Sequence, residues 1–109
     1  MIEELDEEGQ PCPPPPRLAG TEARELKIVN RKGLHARATA KFVQCVDRFD
    51  AEISVTRCGE TVGGDSIMGI LTLGAGLGST ITVAARGRQA CEALDALATL
   101  VADRFGEDE

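Results

Sequence analysis

The chain has 109 residues, of which 18 are acidic, 12 are basic and one is a histidine, so its formal net charge is −6. This length accommodates one domain, and a hydrophobic fraction of 42% is enough to form its core. The acidic balance and an aromatic content of 3%, without Trp or Tyr, argue against a nucleic-acid-binding protein. A single histidine excludes a metal site built from several histidines, and no metal or other cofactor is expected.

The first 23 residues differ in composition from the rest. An acidic block at 1–8 is followed by a proline run at 11–16 that is interrupted by Cys12. Because such a run favours an extended polyproline conformation, we expect residues 1–23 to form a flexible extension, either a simple solubilising arm, which is favoured, or a docking arm. The folded domain is expected over 24–109. The chain shows neither a signal-peptide pattern nor an apolar run near the ~20 residues of a membrane span, so a cytoplasmic protein is expected.

Four cysteines are scattered without a C-x-x-C pair. In a reducing cytoplasm the default prediction is four free thiols, with two of them as small core residues on helices, Cys45 and Cys91. Unpaired spacing disfavours a zinc site, and the lack of an export signal disfavours a disulfide framework.

From residue 24 onward the hydrophobic period alternates between that of strands and that of helices. Strands are predicted around 26–30, 51–55, 60–63 and 81–85, and helices over 35–49, 67–71 and 90–105, the last ending at Gly106. The order β-α-β-β-α-β-α predicts an α+β fold. It is an open-faced two-layer sandwich in which helices cover one face of a four-stranded, mainly antiparallel sheet.

Three spaced glycines follow the short helix, Gly74, Gly76 and Gly78. They superficially match a nucleotide-binding loop, but that fingerprint requires a strand before it and a helix after it, whereas a strand follows here. We therefore predict a flexible connector.

Residues 30–38, Asn-Arg-Lys-Gly-Leu-His-Ala-Arg-Ala, carry the strongest functional pattern. They place His35 at the start of a predicted helix, where unpaired N–H groups and the positive dipole end favour both an anion and the neutral imidazole. A phosphoryl group on His35 could be held by these N–H groups, and Arg37 could add charge-assisted hydrogen bonds. The small Ala36 leaves the approach open.

The alternative is an ordinary helix-terminal histidine beside a solvated arginine. The glycine loop and three neighbouring bases favour the phosphoryl site: Arg31, Lys32 and Lys41. An acid–base enzyme that uses His35 has little support, because no cysteine or carboxylate has a sequence context that pairs it with this histidine.

Two separate motifs give the chain a family resemblance. Residues 33–37, Gly-Leu-His-Ala-Arg, followed by Ala-Lys-Phe-Val at 40–43, resemble the active-site motif of the HPr phosphocarriers of the phosphoenolpyruvate phosphotransferase system. Residues 66–74, Ser-Ile-Met-Gly-Ile-Leu-Thr-Leu-Gly, resemble the regulatory serine segment of that family. The likeness extends over about residues 24–105.

The resemblance implies a relay protein without independent turnover, expected to be monomeric. His35 would accept a phosphoryl group on Nδ1 from enzyme I and pass it to a IIA-type protein, while Arg37 would stabilise the group. Two positions depart from the usual pattern: Ala38 stands where most relatives have proline, and Lys32 replaces a small polar residue of the sugar-type carriers. With the Val-Gly-Gly at 62–64, they resemble the nitrogen-related, regulatory branch in proteobacteria.

Ser66 follows Asp65 and precedes a short apolar helix, which is the pattern of an N-cap that contributes ~1 kcal/mol. Capping alone explains this serine. The resemblance adds phosphorylation of Ser66 by an HPr kinase/phosphorylase, which a helix N-terminus tolerates electrostatically and which would weaken transfer to His35. The alternative function is therefore a regulatory binding module switched at Ser66, with little carrier flux.

The short helix carries four large apolar residues that cannot all face inward: Ile67, Met68, Ile70 and Leu71. They form either core packing or, in part, an exposed docking patch, with Met68 as the exposed residue. Docking is assigned to Ile67, Met68 and Leu71 together with Lys32 and Lys41.

The acidic residues are concentrated at the two ends of the chain, in 1–23 and 103–109, whereas residues 31–41 contain four bases and no acid. The functional surface is therefore predicted to be basic and suited to acidic protein partners, with no nucleic-acid or membrane partner expected.

Overall fold

The computed structural model describes residues 21–108. The elements occur in the predicted order: β1 (Glu22–Lys27), α1 (Ala36–Val46), β2 (Glu52–Arg57), β3 (Glu60–Gly63), α2 (Ile67–Thr72), β4 (Thr80–Arg86) and α3 (Ala90–Ala102), followed by a 3-10 turn (Arg104–Gly106). Most of the predicted extension, 1–23, lies outside the described residues, but Glu22 and Ala23 belong to β1.

The sheet has the strand order β1-β4-β2-β3, and every pairing is antiparallel. In the register, Leu26 of β1 lies opposite Ile81 of β4, and Val55 of β2 lies opposite Val83 of β4. Buried and less buried residues alternate along β4 and along β2 as far as Val55, as expected for strands that have one covered face. The predicted α+β sandwich with a four-stranded antiparallel sheet is confirmed.

The core lies between the sheet and the helices. Phe42 of α1, Leu94 and Leu97 of α3, and Ile70 of α2 are buried together with the inward side chains of the strands. Residues from all the helices and strands pack in or against this one cluster, so packed side chains also support the loop between β1 and α1.

Three predicted boundaries are wrong for physical reasons. The helix predicted over 35–49 ends at Val46, because Phe49 packs against the core from the turn that follows. The alternation of Leu26, Ile28 and Asn30 reflects burial rather than a strand, since all three are buried while β1 ends at Lys27 and Asn30 opens a turn. At the other end, α3 stops at Ala102, and Phe105 enters the core from a separate turn with a φ of 55°. Helical spacing from Val101 therefore predicted the burial of Phe105 but not its backbone.

The cysteines also depart from the prediction. Cys45 is buried and free, as expected, whereas Cys91 is free but exposed, on the outward side of α3. Cys58, in the turn between β2 and β3, is disulfide-bonded, so the prediction of a free thiol is wrong there. Cys12 lies outside the described residues. No helix between residues 21 and 108 is long and apolar enough to cross a membrane.

The loop at 74–79 connects α2 to β4, as predicted, and it supports the loop that precedes α1. The Leu34 N–H donates to the Ala75 carbonyl at 2.9 Å, and the Gly78 N–H donates to the Ile28 carbonyl at 2.8 Å. Gly33 has a φ of +67°, and a Cβ built there would lie 2.6 Å from the Ala75 oxygen. A side chain at Gly33 is therefore excluded both by conformation and by this close approach.

We predict that Gly33→Ala destabilises the fold by more than Gly74→Ala. Both glycines have positive φ, so both substitutions carry the cost of about 1–2 kcal/mol for a left-handed L-residue. A Cβ at Gly74 has no atom within 4 Å, whereas one at Gly33 meets backbone. Urea unfolding followed by circular dichroism measures the difference, and equal losses of stability would show that the close approach is relieved without cost.

Candidate functional site

His35 is the N-cap residue of α1, as the sequence predicts. Its backbone is extended, with φ −80° and ψ −178°, and its carbonyl accepts the Thr39 N–H at 2.9 Å. The next three N–H groups, of Ala36, Arg37 and Ala38, have no hydrogen-bond partner within residues 21–108. Three unpaired donors and the positive end of the helix dipole therefore lie next to the imidazole.

The imidazole is paired with a carboxylate that the sequence analysis did not connect to it. His35 Nε2 lies 2.5 Å from Glu107 Oε2, and the two side chains are 29% and 21% exposed. An ionised carboxylate only accepts hydrogen bonds, so Nε2 carries the proton and donates it. The neutral ring then presents its lone pair at Nδ1.

Asn30 connects this pair to the loop that precedes α1. Its side chain is fully buried, and its Nδ2 donates to the Gly33 carbonyl at 2.8 Å and to Glu107 Oε1 at 3.1 Å. Each oxygen of the Glu107 carboxylate is thus held by a different donor. No local sequence context indicates this carboxylate, because 72 residues separate the partners along the chain.

Electrostatics keep Glu107 ionised. The hydrogen bond from His35 lowers the pKa of the Glu107 carboxyl below 4.5, with smaller contributions in the same direction from the Asn30 amide and the charges of His35 and Lys32; desolvation opposes them. At neutral pH the carboxylate therefore acts as an acceptor.

A left-handed turn delivers Glu107 to the site. Arg104, Phe105 and Gly106 have φ values of 55°, 55° and 78°. Phe105 is fully buried, and Lys41 Nζ donates to its carbonyl at 2.7 Å. The predicted docking base Lys41 is thus half-buried and hydrogen-bonded to this turn.

His35 opens onto a cleft of about 560 Å³. Exposed bases line it, Lys32 and Arg37 among them, opposite Glu107 and Asp108. Arg37 makes no hydrogen bond or ion pair in the part of the chain that the structure describes, so its guanidinium remains available for an anion. The basic surface predicted around 31–41 is present, but two acids from the 103–109 segment interrupt it.

The second predicted site, Ser66, is the N-cap of α2. Its Oγ accepts the Gly69 N–H at 3.0 Å, which confirms the predicted cap. Because the helix is short, only some of the apolar residues that follow Ser66 are buried. Ile70 is fully buried and Leu71 is half-buried, whereas Ile67 is 42% and Met68 70% exposed.

No group of three His, Cys, Asp or Glu side chains in the described range, 21–108, is arranged to hold a metal ion. The site is therefore a single imidazole with one carboxylate, free helix N–H groups and flanking bases.

Comparison with known proteins places this arrangement in a family. A family model described as the PTS HPr component phosphorylation site matches residues 22–103. The phosphocarrier protein HPr of Cupriavidus necator is 46% identical over 86 residues, which cover 79% of this chain and 97% of the relative. The phosphocarrier protein NPr of Shewanella violacea is 40% identical over 84 residues, 77% of this chain and 92% of the relative.

Solved structures agree with these matches. The crystal structure of HPr-C-His from Thermoanaerobacter tengcongensis superposes with a TM-score of 0.78 at 38% sequence identity, covering 81% of this chain and 99% of that one. The chain therefore belongs to the HPr family of phosphocarrier proteins of the phosphotransferase system.

Proposed function

We propose that the chain is a phosphohistidine carrier in which His35 accepts a phosphoryl group on Nδ1 from enzyme I and passes it to a IIA-type protein. The observation that carries the proposal is the Nε2 hydrogen bond to Glu107, because it leaves Nδ1 as the nucleophilic nitrogen. A bond between Nδ1 and phosphorus forms as the bond between phosphorus and the donor breaks. The reverse exchange on the acceptor returns His35 to its starting state, so the protein is a relay without turnover of its own.

The groups that line the cleft and begin α1 suit the charge of a phosphoryl group. The unpaired N–H groups of Ala36, Arg37 and Ala38 supply donors, and the uncommitted Arg37 side chain supplies a positive charge. Phosphoryl transfer depends mainly on positioning and charge stabilisation, and both are present here. A proline at position 38, as most relatives have, would remove the third of these N–H groups but leave those of Ala36 and Arg37, so the imidazole, the Arg37 guanidinium and two backbone donors do not depend on this departure.

Docking is assigned to the exposed part of α2 and the bases beside His35. Ile67 and Met68 provide apolar area on a helix that packs against α1, and Lys32 provides positive charge near the imidazole. An apolar centre with a basic rim suits partners that have a complementary acidic rim, the role proposed for enzyme I and the IIA-type protein. Leu71 and Lys41 contribute less, since the first is half-buried and the second is bonded to Phe105. We propose a monomer that acts in the cytoplasm, with 24–109, extended by the first residues of β1, as the carrier domain.

The regulatory proposal concerns Ser66. Phosphorylation by an HPr kinase/phosphorylase would place negative charge directly before Ile67 and Met68, on the proposed docking surface. The Gly69 N–H that now binds the Ser66 hydroxyl can bind a phosphate oxygen instead, so α2 tolerates the modification. The new charge would repel an acidic partner and slow transfer to His35.

We expect His35→Ala to acquire no phosphate from phosphoenolpyruvate and enzyme I. Arg37→Ala should be phosphorylated roughly tenfold to a hundredfold more slowly, since a hydrogen bond to a charged group contributes about 1.5–3 kcal/mol. The matched control is Arg86→Ala, because Arg86 is exposed and pairs with Glu52 at the far end of β4. Intact mass spectrometry at neutral pH and after acid treatment measures the acid-labile phosphate. An acid-labile phosphate on His35→Ala would disprove the proposal.

For Ser66, we expect ATP and an HPr kinase/phosphorylase to modify the wild type and Ser54→Ala but not Ser66→Ala. Ser66→Ala loses the cap and about 1 kcal/mol but should stay folded. Ser66→Asp keeps a capping oxygen and adds charge, so it should accept phosphate from enzyme I more slowly than wild type. Phosphate from the kinase on Ser66→Ala, or an unchanged rate for Ser66→Asp, would refute the regulatory role.

A further inference from the structure

We propose that Glu107 is a positioning residue that holds the proton of His35 on Nε2 throughout the phosphoryl exchange; the kinetic part of this inference rests on the carrier function proposed above. Glu107 contacts the ring nitrogen opposite the one that reacts, so it acts through His35 rather than on the phosphoryl group. The arrangement of Asn30, Glu107 and His35 forms a hydrogen-bonded series in which each group orients the next.

The carboxylate is held in a defined orientation. Its Oε2 accepts from His35 Nε2 and its Oε1 accepts from Asn30 Nδ2, at 2.5 and 3.1 Å. Asn30 is fully buried, and its second hydrogen bond, to the Gly33 carbonyl, ties it to the backbone just before His35. Rotation of the carboxylate would break one of these contacts, so its orientation is fixed. The fixed carboxylate in turn restrains the imidazole through the hydrogen bond to Nε2.

The backbone that carries Glu107 is held in the same way. Phe105 occupies the core, and its carbonyl accepts from Lys41 Nζ. The carbonyl of Asp108 accepts from Arg104 Nη1 at 3.0 Å, which closes the turn on the other side of Glu107. Arg104 and Phe105 both adopt a φ of 55°, a conformation that non-glycine residues keep only where surrounding contacts require it. These contacts hold the segment 104–108 in the conformation that places the Glu107 carboxylate against the His35 imidazole.

The position of the proton has a direct chemical consequence. When Nδ1 attacks phosphorus, its lone pair forms the new bond, the bond from phosphorus to the donor breaks, and the ring gains positive charge. The Glu107 carboxylate lies beside the Nε2–H and stabilises that charge without taking the proton. In the onward step the bond from Nδ1 to phosphorus breaks, and the ring leaves as neutral imidazole because Nε2 kept its proton. Without this proton the leaving group would be imidazolate, which is far less stable.

The tautomer can be observed without any transfer partner. The chain contains a single histidine, so ¹⁵N spectra that correlate ring nitrogens with ring protons report on His35 alone. In the wild type at mildly alkaline pH, we expect Nε2 at the protonated position and Nδ1 at the unprotonated position. Glu107→Ala should move both resonances toward intermediate values. Glu107→Gln should give resonances between those of Glu107→Ala and the wild type, because its one amide oxygen can accept from Nε2–H while its NH2 group then faces the Asn30 Nδ2 donor.

The matched control is Asp108→Asn, which removes the neighbouring carboxylate of the same cleft and changes the net charge as Glu107→Gln does. It should leave the ring-nitrogen resonances unchanged. A wild type that is protonated at Nδ1, or a Glu107→Ala spectrum identical to the wild type, would overturn the proposal. Thermal unfolding of each variant identifies any that has lost the fold, and the wild-type spectrum keeps the test decisive in that case, because protonation at Nδ1 would overturn the proposal without any variant.

Kinetics with enzyme I and phosphoenolpyruvate give the second readout. For Glu107→Ala we expect kcat to fall roughly tenfold to a hundredfold, by analogy with the loss of a carboxylate that orients a metal-bound histidine, while KM stays within about twofold. Glu107→Gln should lie between Glu107→Ala and the wild type, and Asp108→Asn should match the wild type. If the wild type is phosphorylated on His35 but Glu107→Ala has an unchanged kcat, this inference fails and the carrier function stands. If the wild type gains no phosphate, the carrier function itself fails.

Discussion

The contact between Glu107 and His35, on which the site depends, is held in place by the buried side chain of Phe105. This side chain is fully buried in the core, yet it enters from a turn in which two successive non-glycine residues have positive φ. Each such residue costs about 1–2 kcal/mol, whereas truncating a buried phenylalanine costs about 3–5 kcal/mol. Burial therefore offsets the backbone strain, with the hydrogen bond from Lys41 in addition. The consequence is that Glu107 reaches His35 although the two residues are far apart in the chain.

The site holds charges of both signs close to one imidazole. Glu107 lies at Nε2, while Arg37 lines the same cleft and the N–H groups of Ala36, Arg37 and Ala38 have no partner in the part of the chain that the structure describes. A carboxylate close to a phosphoryl group would repel it, but a carboxylate at the opposite nitrogen stabilises the ring that carries it. The hydrogen bond from His35 lowers the pKa of Glu107, and the positive charge of Lys32 makes a smaller contribution in the same direction. The same imidazole can thus serve as nucleophile and as leaving group.

The segment around Ser66 packs against the same part of the fold as the segment around His35. α2 packs against α1, and the loop after α2 accepts the N–H of Leu34 at Ala75 and donates the Gly78 N–H to Ile28, so it holds the segment that leads into His35. Ser66 caps this helix through Gly69, and the exposed side chains of Ile67 and Met68 follow at once. A change of charge at Ser66 therefore falls on the surface where a partner of His35 is proposed to bind, without any movement of the core.

The sequence by itself determined the order of the elements, the one-sided burial of the sheet, the N-cap positions of His35 and Ser66 and the exposure of Met68. These features depend on period and on capping residues, which act over a few neighbouring positions. Only the tertiary structure decided the end of β1, the left-handed turn at Phe105, the disulfide at Cys58 and the exposure of Cys91.

The position of the acidic residues in the folded protein also depends on the tertiary structure. Composition assigns the acids to the two ends and predicts a purely basic surface around His35, but folding brings Glu107 onto the imidazole and Asp108 beside it. The partners of Glu107 lie 72 and 77 residues away along the chain, and no local pattern encodes a contact over that distance. The contact between Glu107 and His35 arises because Phe105 packs in the core and brings Glu107 close to the imidazole. Tertiary packing, and not the local sequence, therefore determines which residue orients the histidine.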